Sequence, residues 1–318
     1  MKVHSLAELG ALREALRQRA RQQAERAARE LAARREAQQR QQAQHNLFAK
    51  AMRTVDPDIR LIGVGAVGSW SRGMLENCAE TMDLISEHFY RQEREPIADH
   101  VQQIPDAVRS IADAHRRYRE QLDSLAGKDI RIALDEWNYW YGPHVFGELG
   151  TRYFQKDALG IAAGLHEMAR NSDLYFMANY AQTVNVIGAI KTTETAAALE
   201  TTGLVLKLYR NHFGTVPVAV SGKLHGLDVA AAWTADKKAI TIGIVNPTEA
   251  SYDVTLTLEG ASLSGQGRCW TIAHDDPTAY NEPGQTPNVA ITEDSVSGLS
   301  DTLDCPAYSV RLYELEVR

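Results

Sequence analysis

Ile130, Ile132 and Leu134 alternate with Arg131 and Ala133 in a short segment bounded by Gly127-Lys128 before it and Gly142-Pro143 after it. Alternation closed off by turn residues predicts a buried β-strand. The strand runs into Asp135-Glu136 and then Trp137-Asn138-Tyr139-Trp140-Tyr141. In parallel α/β sheets and barrels, catalytic groups collect at the C-terminal ends of the strands, so chemistry is sought here first. Period two groups Glu136 and Asn138 with Leu134, which predicts Glu136 pointing inward and Asp135 away. The four rings of Trp137, Tyr139, Trp140 and Tyr141 offer flat apolar surface of the kind that stacks on sugars and lowers the dielectric around an acid. Glu136 therefore reads as a nucleophile or an acid/base in glycoside chemistry. The same pattern also fits a strand-end carboxylate salt-bridged to a helix, with the rings as core.

The rest of the chain supplies the frame for this strand. Three more segments read as strands: Ile59 to Gly65, Met82 to Tyr90 and Leu174 to Asn179. Between and after them the pattern predicts helices over Met74 to Thr81, Pro105 to Leu125, Asp157 to Asn171 and Glu194 to Asn211. Four strands alternating with helices imply right-handed βαβ units and a parallel sheet. After Pro217 the rhythm changes to short strands about ten residues apart, separated by Gly, Pro, Asn and Asp. They are expected at Val229 to Trp233, Ala239 to Val245, Tyr252 to Leu258, Arg268 to Ile272, Val289 to Ile291 and Val310 to Leu315. That spacing predicts an antiparallel sandwich, with a boundary near Gly214.

Residues 1–46 differ from everything that follows. Nine Arg and Lys2 against five Glu make them +5, leaving −12 on the other 272 residues of a chain whose total is −7. Leu9, Leu12, Leu16, Ala20, Ala24, Ala27 and Leu31 recur at three- and four-residue steps, and Ser5 can cap the start. One long, polar, Ala-rich helix is expected from about Ser5 to about Gln44, ~60 Å if straight. Its apolar stripe is thin, so it reads as a solvated arm; a nucleic-acid partner is the weaker alternative, because Arg and Glu are interspersed and no aromatic is present. A helix from Leu47 to Val55 continues it up to Pro57.

With 44% hydrophobic and 24% charged residues among 318, the chain is long enough for two domains. No apolar run approaches the ~18 to 20 residues of a membrane span. Cys78, Cys269 and Cys305 are odd in number and widely spaced. They point away from a disulfide framework and toward a reducing cytoplasm. His144 and Glu148 lie close to Glu136 in sequence, but no H-E-x-x-H or Cys cluster accompanies them, so no metal and no cofactor is expected.

Asp135-Glu136-Trp137-Asn138-x-Trp140-Tyr141 resembles the nucleophile strand of the alpha-L-arabinofuranosidases of glycoside hydrolase family 51, and the likeness runs from about Asn46 to the C-terminus. The resemblance implies an arm over 1–46, the C-terminal half of a (β/α)8 barrel over 47–214 and a β-sandwich over 215–318. It implies a retaining hydrolase acting on arabinofuranosyl saccharides, with Glu136 as nucleophile. His88-x-Tyr90 resembles the family's substrate-binding His and Tyr. Trp140 takes the place of a stacking wall, and Gln182, in Asn179-Tyr180-Ala181-Gln182, that of a sugar-binding Gln. Homo-oligomers, commonly hexamers, are implied as well.

One element of the family pattern is missing. A retaining enzyme needs a second carboxyl, expected from an Asn-Glu pair just before the Leu47 helix, where this chain has Gln38 to Gln44 and His45-Asn46. The expectation is therefore a truncated form without that acid, with Glu93 as the one stand-in and Glu87 facing outward. A related xylosidase or endoglucanase fits the same residues. A non-catalytic carbohydrate- or partner-binding module is the alternative from a different class.

Overall fold

The computed structural model describes residues 6–145, 147, 149–298 and 301–318, with side chains from Arg13 onward. The expected cap at Ser5, the side chains of Leu9 and Leu12, and Glu148 lie outside the described residues. Helix α1 (Leu6–Val55) runs unbroken for 50 residues, ~75 Å. It joins the arm to the segment expected as a separate continuation. From Arg13 to Ala37 it is exposed on all sides. From Gln38 it docks: the Gln38 amide donates to the Ser69 carbonyl at 2.8 Å, the Asn46 amide to the Asn77 carbonyl at 2.9 Å, and Arg53 to Asp83 at 2.8 Å.

Strands β1 (Ile62–Gly63), β2 (Leu84–Arg91), β3 (Arg131–Tyr139) and β4 (Tyr175–Tyr180) form one parallel sheet in that order. Helices α2 (Ser69–Asn77), α3 (Ile97–Gln121) and α4 (Gln155–Arg170) connect them. Ile132, Leu134, Trp137 and Tyr139 of β3 share a core with Ile104, Val108 and Ile111 of α3 and Ile161 of α4, which fixes the helix-covered face. Four strands with helices outside are half of an eight-stranded parallel barrel. Helix α3 starts eight residues before the expected Pro105. That proline lacks the N–H that would bond back to Val101, but burial of Ile104, Ala107 and Val108 carries the helix through. Gly160 of α4 is required by packing: a Cβ there would come within 1.9 Å of the Tyr139 hydroxyl.

Beyond β4 the chain forms a small hairpin, β5 (Ile190–Thr192) with β6 (Ala197–Leu199), and then α5 (Thr201–His212). The helix expected from Glu194 therefore begins seven residues late. Its first residues pair as strand instead, anchored by the Asn185 carboxamide oxygen accepting from Thr192 N at 3.0 Å.

A six-stranded antiparallel sheet follows. It is built from β7 (Val216–Val218), β8 (Asp228–Trp233), β9 (Ala239–Asn246), β11 (Leu263–Ala273), β12 (Thr292–Ser297) and β14 (Ser309–Val317). The spatial order is β12-β11-β14-β9-β8-β7. A two-stranded pair, β10 (Tyr252–Thr255) with β13 (Thr302–Cys305), covers its far face. The strand expected at Val289 to Ile291 is not one; pairing begins at Thr292, because Val289 is instead held in a loop by Asn281. Strands β7 and β13 were not anticipated.

Alternation splits β9 between two cores. Ile240, Ile242 and Ile244 face the two-stranded pair, while Val245 joins the core that also holds Trp137 and Leu159. The apolar core is thus continuous across residue 214. Gly243 lies on the same side as Val245, where a Cβ would come within 2.4 Å of His166 Nε2 of α4. Among the described residues no helix is long and apolar enough to cross a membrane, and all three cysteines are buried and free.

Candidate active site at the end of the third strand

The pairing of β2 with β3 is interrupted at the point that matters. Glu87 pairs with Leu134, and His88 pairs with Glu136, so Asp135 is an extra residue on β3. The β3–β4 register shifts over the same stretch, between Leu134 and Trp137. Such a β-bulge reverses the facing of everything downstream.

The bulge corrects the sequence expectation. Leu134 lies in the core with the helices, so strict alternation would have sent Glu136 toward them as well. Because of the extra residue, Glu136 emerges on the open, concave face, exposed, while Trp137 turns back into the core. Asp135 is half-buried, and its charge adds to that of Glu136 in raising the Tyr90 pKa.

On that face the Tyr90 hydroxyl donates to Glu136 Oε2 at 2.8 Å. The Trp140 ring meets the Tyr90 ring edge-on with centroids 5.3 Å apart, and Trp140 N donates to the Arg91 carbonyl at 2.8 Å, which fixes its backbone to β2. Burial first, and then the neighbouring carboxylates, push the Tyr90 hydroxyl well above its ordinary pKa, so it remains a donor. His88 is exposed on the same face, its Nε2 3.4 Å from the Gly65 carbonyl oxygen. Asp135 is raised from its ordinary value chiefly by burial.

Gln182 stands exposed at the C-terminal end of β4, in a loop held from below. The Asn138 amide nitrogen lies 2.5 Å from the Ala181 carbonyl oxygen, 2.8 Å from that of Ile187 and 2.8 Å from the Tyr153 hydroxyl. The Lys191 ammonium donates to the Val186 and Gly188 carbonyls at 3.0 and 3.1 Å. Burial pushes the Lys191 amine down and the Glu200 carboxyl up, and Glu200 accepts from Tyr153 N at 2.8 Å. Asn138 was legible as an inward residue, but its hold on the loop was not, because its partners come from residues 15 to 49 positions away.

Other expected members are placed elsewhere. Only Trp140 of the four rings is at the site. Trp137, Tyr139 and Tyr141 are buried among the helices, where Tyr139 stacks on His100 at 4.3 Å and the Tyr141 hydroxyl donates to Asp157. Glu93 is committed to an ion pair with Lys156 rather than to Glu136. Glu87 faces away as expected, and there it is a buried organiser. It accepts from Ser71 Oγ at 2.7 Å and Val67 N at 2.9 Å, and meets His115 Nε2 at 2.9 Å. Among the described residues no group of His, Cys, Asp and Glu is arranged to hold a metal ion.

The sequence profile described as the alpha-L-arabinofuranosidase C-terminal domain matches residues 135–309, more than half of the chain. The intracellular exo-alpha-(1->5)-L-arabinofuranosidase 1 of Bacillus subtilis (strain 168) is 25% identical over 268 residues, covering 74% of this chain and 53% of that protein. The probable alpha-L-arabinofuranosidase C of Aspergillus clavatus is 26% identical over 293 residues, covering 79% and 56%. The chain spans about half the length of these curated relatives. In fold it is similar to the thermostable GH51 alpha-L-arabinofuranosidase from Thermotoga petrophila RKU-1, with a TM-score of 0.77 at 24% identity over 88% of this chain and 62% of that one.

Proposed function

The chain belongs to the alpha-L-arabinofuranosidase C-terminal domain family, and from that premise we propose that Glu136 is the nucleophile of a retaining glycosidase site for an alpha-L-arabinofuranosyl group. His88, Tyr90, Trp140 and Gln182 line that site. The observation that carries the reading is the Tyr90 hydroxyl donating to Glu136 Oε2 at 2.8 Å beneath the edge of Trp140. A phenol whose pKa is raised by burial and by the neighbouring carboxylates stays a donor, holds one carboxylate oxygen by a charge-assisted bond and leaves the other for attack. Glu136 bonds to the anomeric carbon as the bond to the leaving oxygen breaks and an activated leaving group departs as its anion; water then adds to the anomeric carbon, the ester to Glu136 breaks, and the proton of that water passes to the departed anion or to solvent. Trp140 supplies a ring against which the furanose packs, and Gln182 a carboxamide for its hydroxyls.

The acid that the family resemblance implies is not supplied by residues 38–46: that segment is helix, and its polar side chains are spent on α2. A general acid contributes ~10²- to 10⁴-fold, mostly where the leaving group is poor. The expected result is slow release of nitrophenol from an aryl alpha-L-arabinofuranoside, abolished by Glu136→Ala, with little turnover of arabinan or arabinoxylan. Preference for a nitrophenyl xyloside or glucoside would remove the arabinose assignment. The same missing acid favours a second reading, a module that binds the sugar without turning it over. Calorimetric binding of arabinan oligosaccharides with no release from the aryl substrate would select it. The free, buried thiols and the similarity to the intracellular enzyme of Bacillus subtilis support a cytoplasmic location.

A further inference from the structure

Lys191 of β5 is fully buried. A buried ammonium is far costlier to desolvate than an apolar side chain in the same place, so the charge points to a task. It donates to the Val186 and Gly188 carbonyls at 3.0 and 3.1 Å, the two that flank Ile187. The Ile187 carbonyl accepts from Gln182 N at 3.3 Å, and Ala189 N donates to the Gln182 carbonyl at 2.9 Å. Both backbone groups of Gln182 are therefore tied to the stretch that the ammonium grips.

That stretch does not hold its shape by local preference. Asn185 and Val186 adopt positive φ, 55° and 45°, and for a β-branched valine this region is strained. Such a backbone persists only where its surroundings over-determine it. Gly188 leaves no slack, because a Cβ there would come within 2.6 Å of the Val184 carbonyl carbon. A cation shared between two carbonyls makes charge-assisted bonds, which are roughly twice as strong as neutral ones.

We infer that Lys191 is a positioning residue of the sugar site: by clamping the Val186 and Gly188 carbonyls it fixes the turn that presents the Gln182 carboxamide, so sugar affinity depends on its charge. The role rests on Gln182 as a sugar contact. Among the described residues, the titratable groups around the ammonium are Glu200, just before α5, whose charge favours it, and Tyr153, from the segment before α4, whose ring centroid lies 5.2 Å away. Strand β6 brings only Ala197, Ala198 and Leu199. Asp157 and Arg152 act on Glu200 in turn. Burial pushes the Lys191 amine below its ordinary value and Glu200 pulls it only part of the way back. The full clamp is thus present on the acid side and weakens with rising pH, where an ordinary lysine is still charged.

Two measurements on the full chain test the role. Hydrogen exchange needs no sugar. Lys191→Met keeps an unbranched apolar stem and removes the charge. The amides of Thr183 to Ala189 should then exchange roughly tenfold faster, with those of α4 unchanged. Unchanged rates in the loop overturn the clamp, and faster exchange throughout the chain shows a merely structural lysine and overturns it too. The second measurement follows KM for an aryl alpha-L-arabinofuranoside. Lys191→Met and Gln182→Ala should each raise KM roughly tenfold and the double variant no further, because one residue acts through the other. Losses that multiply to roughly a hundredfold overturn the link between them. In wild type KM should climb between about pH 7 and about pH 9, below the ordinary lysine range of ~10.4, and the climb should vanish in both single variants. A climb that survives Lys191→Met overturns the dependence on its charge. If wild type releases no nitrophenol, the sugar reading fails and this role falls with it, whereas unchanged loop exchange in a chain that does turn over substrate removes the role of Lys191 alone.

Discussion

Tyr90 and Glu136, 46 residues apart in sequence, are joined by a hydrogen bond of 2.8 Å from the phenol to Oε2. A bond to a charged acceptor is worth about 1.5–3 kcal/mol when buried, and less at a partly exposed site. Tyr90→Phe keeps the ring that Trp140 packs against and removes only the donor. Nitrophenol release should slow roughly tenfold with the melting temperature unchanged. A rate within twofold of wild type would show that the hydroxyl does not serve Glu136.

Asn138 should matter more for the shape of the site than for the chemistry itself. Asn138→Ala leaves the Ala181 carbonyl without its side-chain donor and takes one of three donors from the Ile187 carbonyl, and a buried unsatisfied group costs about 1–3 kcal/mol. The expected result is a lower urea midpoint and weaker binding of arabinose, together with faster protease cleavage between Ala181 and Ala189. Cleavage elsewhere in the chain, with that loop still protected, would contradict the role given to Asn138.

Asp228 should set an acid limit on stability. Burial alone would raise its pKa, but the hydrogen bonds and charges of His166 and Arg170 outweigh that and hold it at about 2, below the ordinary 3.8. The folded-state value is depressed, so the stabilisation is present above about pH 4 and is lost as the pH falls toward 2. It amounts to about 2 kcal/mol. Asp228→Asn should flatten the stability profile between those limits while lowering stability at pH 7. An unchanged acid slope in chemical denaturation would count against it.

Among the described residues Arg13 to Ala37 are helix exposed on all sides, so removal of residues 1–37 should move the melting temperature by no more than a degree or two. Removal through Asn46 also takes the Gln38, Gln42 and Asn46 contacts with α2 and should lower it clearly. Retention on DNA that disappears with the first deletion would instead assign the arm to nucleic acid.

Local pattern was enough to recover much of this architecture. The alternation of Ile130, Ile132 and Leu134 marks a buried strand, and the helical periods between strands mark a parallel sheet. The turn residues after Pro217 mark an antiparallel one. Ser86, His88 and Tyr90 share a face, as period two requires, and Glu87 takes the other. These features depend on neighbours a few residues away, which is why they can be read in one dimension. The motif around Glu136 was likewise visible in the chain itself.

Tertiary structure decided what faces what. Nothing in Leu134-Asp135-Glu136-Trp137 announces an extra residue; the bulge is set by pairing, since β2 passes over Asp135 between Glu87 and His88, and β4 shifts against β3 between Ile132 and Ala133 and again between Leu134 and Trp137. That slip brings Glu136 to Tyr90 and leaves Asp135 beside it. It also buries Tyr139 and Tyr141 against α3 and α4, where a wall of rings had been expected around a sugar. The hairpin of Ile190 to Leu199 replaced the start of a helix for a similar reason, since Asn185 and the carbonyls reached by Lys191 draw those residues under the Gln182 loop. Register, bulges and buried polar partners arise between segments far apart in the chain. Sequence pattern therefore determined most of the strands and the motif around Glu136, and only the packed sheet determined which side chains lie beside it.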